Sequence, residues 1–212
     1  KAISPGFFAL DGKFTKGAYI ACGDVNGDGK DEMLIAADAG GGPHVTVHNK
    51  DGGVIANFFA YDANFRRGIR VATADLSGDG VEEIITVPAT GADAHVQIFG
   101  IVPGSVKRLT LGFYPFATSA GNGASIASGD MDGDGRDEIA IGIGTQSANP
   151  VVRVTNMSGD VLDEFLAYGE GFTGGVNLAS GDVNNDGVDE IITTPAGAGS
   201  PQVRVMEGDL IQ

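Results

Sequence analysis

Four short segments of the chain concentrate oxygen-bearing side chains at fixed spacing: DVNGDGKDE from Asp24, DLSGDGVEE from Asp75, DMDGDGRDE from Asp130 and DVNNDGVDE from Asp182. Numbered from its first Asp, each segment places side-chain oxygens at positions 1, 3, 5 and 9, with a turn residue at position 6 that is Gly in all four. The first segment offers Asp24, Asn26, Asp28 and Glu32, with the Lys30 carbonyl at position 7. The second offers Asp75, Ser77, Asp79, Glu83 and the Val81 carbonyl, and the third Asp130, Asp132, Asp134, Glu138 and the Arg136 carbonyl. The fourth offers Asp182, Asn184, Asp186, Glu190 and the Val188 carbonyl. Alternate residues of a tight loop point inward, so these oxygens converge. The glycine at position 6 permits the sharp turn that brings a carbonyl and a later carboxylate onto the same point. Six to eight hard oxygen donors at flexible geometry are what calcium takes; magnesium demands a stricter octahedron and keeps more water.

One such loop reads equally well as an Asx-turn on a solvated edge. Four in register do not, because unneutralised clusters of three or four carboxylates repel one another. The expectation is up to four calcium ions, one per loop. The third loop, with three Asp and a Glu, should bind most tightly, and the second, with Ser77, most weakly.

The loops recur 51, 55 and 52 residues apart, and the repeat extends well beyond them. Phe7, Phe58, Phe113 and Phe165 precede them at one offset, Gly17, Gly68, Gly123 and Gly175 at a second, and Ala21, Ala72, Ala127 and Ala179 at a third. Downstream stand Val45, Val96 and Val203, with Val152 one place later. Four units fill a single domain over 1–212, spanning roughly 11–62, 63–117, 118–168, and 169–212 with 1–10. The first unit reads as four strands, Gly17–Val25, Asp31–Ala37, His44–His48 and Val54–Tyr61, punctuated by Gly, Asp, Asn and Pro. No window carries a capped helical period. The predicted fold is all-β: a four-bladed β-propeller of four-stranded antiparallel blades. Small residues place the first strand of each unit innermost. The last unit lacks a fourth strand after Pro201–Met206, and Ala2–Leu10 is expected to supply it and close the ring. A piece of a larger ring, or half of an eight-bladed dimer, is the alternative.

Composition narrows the function. Of 212 residues, 28 are Asp or Glu and 13 are Lys or Arg, a formal charge of −15, which argues against a nucleic-acid partner. The hydrophobic share, 42%, is too high for a disordered acidic tail. No apolar run reaches membrane-span length and no leader opens the chain, whose first residue, Lys1, suits a mature or excised segment. The single Cys22 excludes an internal disulfide; it aligns with Thr73, Ser128 and Ser180, so a small buried residue is expected there.

The loops resemble FG-GAP and VCBS repeats, the calcium-loop propeller repeats of integrin α-subunit heads and of many secreted bacterial proteins. The resemblance covers all four units, and the metal loop is its specific part. It implies that the loop joins the first two strands of a blade and that the ion stiffens the propeller away from its ligand-binding face. Position 9 departs from the family's usual Asp, being Glu32, Glu83, Glu138 and Glu190, and the FG…GAP letters survive only loosely at Gly40–Pro43 and Pro195–Pro201.

Calcium in such loops acts as a strut, since the loop supplies most of its ligands and leaves little room for substrate. Weak extracellular-type affinity points outside the cell or to the cell surface, of a bacterium. The expected function is a non-enzymatic recognition or adhesion module that binds a glycan or protein on one face; a lyase-like polysaccharide enzyme and a structural spacer are the alternatives. No GxSxG elbow is present. His44, His48 and His95 read as strand residues, and Arg66, Arg67 and Arg70 as local charge balance, with pairing to an acidic glycan as the alternative. Phe7, Phe8, Phe58, Phe59, Phe113 and Phe165 read as packing between blades.

Overall fold

The structure, a computed structural model, describes residues 6–116, 122–147 and 149–207. The first blade comprises β1 (Ala18–Gly23), β2 (Glu32–Ala37), β3 (His44–His48) and β4 (Val54–Phe59). The second holds β5 (Ile69–Ala74), β6 (Glu83–Pro88), β7 (Gln97–Val102) and β8 (Ser105–Arg108), and the third β9 (Ala124–Gly129), β10 (Glu138–Ile143), β11 (Val151–Thr155) and β12 (Val161–Leu166). The fourth has three strands among the described residues, β13 (Val176–Gly181), β14 (Glu190–Pro195) and β15 (Arg204–Met206). Every sheet runs in simple sequence order with antiparallel neighbours, and no helix occurs among the described residues. The molecule is a four-bladed β-propeller.

The strands are where the residue pattern puts them, with His44–His48 matched end for end and the others trimmed by one to three residues. Register is pinned at each acidic loop: Gly23 pairs with Glu32, Ala74 with Glu83, Gly129 with Glu138 and Gly181 with Glu190. Position 9 therefore opens the second strand of every blade.

The core lies in the seams between blades. One buried cluster joins Val25, Leu34, Val45 and Val47 of the first blade to Ile69, Val71, Ile84 and Phe99 of the second. A second cluster joins Ala74, Leu76, Val96 and Ile98 to Ala124, Ile139 and Ile141 of the third blade. The third seam is built from Met131 and Val154 with Ile191, and from Val152, Ala167 and Tyr168 with Val176. The second strand of each blade is sandwiched between neighbours, which is why it reads as a continuous apolar run. Inner strands pack side by side, β1 with β5, β5 with β9 and β9 with β13, and their alanines permit the approach; β13 and β1 share no comparable packing.

Three expectations need correction or restriction. Residues 1–5 of the expected closing strand lie outside the described residues, while Gly6–Leu10 forms no strand and Phe7 sits on His48 of the first blade, ring centroids 4.9 Å apart. Cys22 is exposed rather than buried, because it faces outward from the first blade, where no preceding blade covers it. Phe58, Phe113 and Phe165 do pack between blades, but Phe8, outside any strand, is exposed, and so is Phe59, since alternate residues of the outermost strand β4 face solvent.

Candidate metal centre

The acidic loops owe their shape to the aspartate at position 1. Asp24 accepts the backbone N–H groups of Gly27 and Gly29, both at 2.7 Å, and of Asp28 at 3.1 Å. Asp75 does the same for Gly78, Asp79 and Gly80, Asp130 for Gly133 and Gly135, and Asp182 for Asn185, Asp186 and Gly187. Desolvation pushes the Asp24 carboxyl up, but the N–H donors of Gly29, Gly27, Asp28 and Asn26 outweigh it and hold the group below its usual range. Gly29, Gly80, Gly135 and Gly187 at position 6 all have positive φ, between 81° and 94°, as the turn requires.

The glutamates at position 9 lie beneath the loop. Glu32, Glu83, Glu138 and Glu190 are all buried. Glu83, Glu138 and Glu190 accept the N–H of position 2 from Leu76, Met131 and Val183. Burial pushes the Glu138 carboxyl up to about 7; the Met131 N–H opposes this, and Asp132, Asp134 and Asp130 reinforce it. Glu32 and Glu83 are raised for the same leading reason, burial, followed for Glu32 by the charges of Asp28 and Asp24.

The third loop goes furthest. Oxygens of Asp130, Asp132 and Glu138 lie within 4.8 Å of one another, the one such acidic trio among the described residues. Asp134 stands outside it, its carboxylate accepting the Arg136 N–H at 2.8 Å. In the other loops position 3 is Asn26, Ser77 or Asn184, and no carboxylate trio forms. Asp28 lies 3.6 Å from Lys30 Nζ, Asp79 accepts the Val81 N–H, and Asp186 accepts the Val188 N–H. Asn184 Nδ2 donates to Glu190 Oε1 at 2.5 Å.

These donors fit a hard cation. Glu32 Oε2 is buried with no hydrogen-bond partner, and the Glu138 carboxylate, costly to ionise among like charges, is a group that a divalent ion would stabilise. The arrangement is of a kind that can hold a hard cation.

One acidic position escaped the ligand pattern. Position 8 is occupied by Asp31, Glu82, Asp137 and Asp189, and the last three work between blades. The N–H groups of Glu82, Asp137 and Asp189 donate to the carbonyls of Asp24, Asp75 and Asp130, the position-1 residues of the preceding loops, at 2.9, 3.0 and 2.8 Å. Burial raises all three carboxyls. Their recurrence beside position 9 was the available signal, although nothing local names a partner about sixty residues earlier.

Of the histidines expected on strands, His44 and His48 lie on β3, whereas His95 precedes β7 and lies outside any strand. His44 packs on Phe59, His48 on Phe7, and His95 is stacked on Tyr114 at 4.5 Å, so the histidines do not converge. Arg66 donates to the carbonyls of Ala63 and Phe65, and Arg70 lies over the Tyr19 ring. Antiparallel alternation puts the ends of β4 and the start of β7 on the side opposite the acidic loops. A groove of about 550 Å³ opens there, lined by Phe59, Tyr61, Asp62, His95, Gln97 and Arg108 among others.

Residues 122–152, which contain the third loop, match the family model described as FG-GAP repeat. No curated protein matches the chain. Among solved structures, the exotype rhamnogalacturonan lyase YesX is similar over 86% of this chain and 40% of its own, with TM-score 0.58 and 18% identity. The Pseudomonas aeruginosa PilY1 C-terminal domain is similar over 77% of this chain and 36% of its own, with TM-score 0.47 and 16% identity. The chain thus spans about two-fifths of the lyase's length, and at that identity the likeness is one of fold.

Proposed function

We propose that this chain is a calcium-stabilised, non-enzymatic recognition module of an extracellular or cell-surface protein. The carrying observation is the convergence of Asp130, Asp132 and Glu138 beneath a turn organised by Asp130's own backbone contacts. The FG-GAP match over that loop supports calcium as the ion, because such repeats generally bind it. The ligands in each loop are position 1, 3, 5 and 9 side chains and the position 7 carbonyl. The ion is a strut: it neutralises the loop and fixes the start of each blade's second strand. Affinities typical of extracellular calcium modules, about 10⁻⁴–10⁻³ M, suit a calcium-rich compartment.

The partner belongs on the face away from the ions. The groove beside Tyr61 and His95 combines aromatic rings with the amide of Gln97 and the charge of Arg108, a lining suited to a glycan. Calorimetry with wild type and Asp132→Asn tests the metal assignment: the tightest calcium site should weaken to the level of the loops that carry Asn26 and Asn184 at the same position, and an unchanged isotherm contradicts it. Glycan binding that Arg108→Ala abolishes would support the groove. Release of unsaturated sugar product by the wild type would replace this reading with a lyase.

A further inference from the structure

Each internal seam is built from the same parts. The hydroxyls of Thr73, Ser128 and Ser180 donate to the carbonyls of Cys22, Thr73 and Ser128, one blade back, at 2.8, 2.6 and 2.6 Å. The side chain at position 2 of a loop lies under the next blade, so Val25, Leu76 and Met131 are buried. A Cβ on Gly68, Gly123 or Gly175 would strike backbone of the preceding blade at 2.7, 2.4 and 2.7 Å.

At the two ends of the array these parts are present and uncovered. Val183, the fourth position-2 residue, is 58% exposed, and Val203 and Val205 beside it are 60% and 52% exposed, whereas Val45, Val47, Val96, Ile98, Val152 and Val154 at equivalent places are fully buried. On the first blade Ile20 is 74% exposed where its counterpart Val71 is buried. Asp31 is exposed where Glu82, Asp137 and Asp189 are half-buried, and a Cβ on Gly17 would meet nothing within 4 Å. The fourth blade therefore presents what the first three present forward, and the first presents what the others present backward.

We propose that a second copy of this chain occupies these faces, its first blade docking on the fourth blade of its partner, so that two copies close head to tail into a ring of eight blades. The contact continues the internal seams: Ser180 and Asp182 carbonyls meet Cys22 and the Asp31 N–H, and Val183, Val203 and Val205 cover Ile20. A head-to-tail contact generates a ring when its rotation closes. The N-terminal segment completes the arrangement. Phe7 lies on His48 at 4.9 Å as Phe58 lies on Phe99 at 4.7 Å, so Gly6–Leu10 already stands where the outermost strand of a preceding blade belongs. In the ring it lies along β15 and adds an outer strand to the partner's fourth blade, which has three strands among the described residues.

Sedimentation equilibrium in calcium buffer tests this. The wild type should weigh twice the 21.5 kDa of one chain. Val183→Asp and Ile20→Asp, each at an exposed position of the single chain, should keep the sheet circular dichroism and sediment as monomers. Mixed together, the two variants should form a weakened pair, because one of the two junctions carries neither change. A monomeric wild type, a dimer indifferent to both substitutions, or a ladder of larger species overturns the proposal.

Discussion

Asp75 and Asp137 are joined by a reciprocal pair of hydrogen bonds: the Asp75 N–H donates to Asp137 Oδ2 at 2.8 Å, and the Asp137 N–H donates to the Asp75 carbonyl at 3.0 Å. The first residue of one acidic loop is thereby fixed by the eighth residue of the next. A cation that orders either loop orders both, so the four loops form a linked chain around the propeller.

Removing that carboxylate leaves a half-buried N–H without its acceptor. Asp137→Ala should destabilise the protein by about 1–3 kcal/mol, read as a lowered urea midpoint. Asp137→Asn, which retains an acceptor oxygen, should recover most of the loss.

Glu138 makes the metal-free protein sensitive to pH. Its folded-state carboxyl is raised from 4.5 to about 7 by burial and by neighbouring aspartates. The native state therefore holds a proton that the unfolded chain releases, so this contribution is fully present below 4.5 and is lost as pH rises through about 7. The melting temperature of chelator-treated protein should fall across that window, and Glu138→Gln should flatten the decline. Calcium should displace the proton, which calorimetry in buffers of different ionisation enthalpy will detect as proton release on binding.

Ser77 marks the poorest loop, since a short hydroxyl stands at its third position where the other loops have the Asp or Asn oxygens of Asn26, Asp132 and Asn184. Ser77→Asp should tighten the second site on the order of tenfold by adding one ligand charge. Unchanged or weaker binding would remove position 3 from the ligand set.

Gly135 has φ 85° and open space around its missing Cβ, so a substitution there acts through the backbone alone. Gly135→Val should cost about 1–3 kcal/mol of strain and disable the third site. Gly135→Asn should be milder, because Asn tolerates the left-handed region, as Asn185 does at φ 65°.

Much of this molecule was readable from residue order. Periodic Phe, Gly, Ala and Val fixed the number of blades, and the glycine at position 6 located each turn. Position 3 alone, Asp132 against Asn26, Ser77 and Asn184, anticipated which loop gathers three carboxylates. Contacts between blades were not readable. Asp137 reads as one more acidic residue until its partner Asp75 is placed beside it, and Cys22 aligns with half-buried hydroxyl residues yet is exposed because no blade among the described residues packs against it. Such differences depend on which neighbour occupies a seam, and no local pattern encodes that.

Calcium titration of chelator-stripped protein, with melting temperature recorded at both ends, tests the central claim most directly. The account predicts saturable binding approaching four ions per chain, the tightest weakened in Asp132→Asn, with a large rise in melting temperature. An isotherm without binding, or binding that leaves the melting temperature unmoved, would contradict the role of these loops as calcium struts.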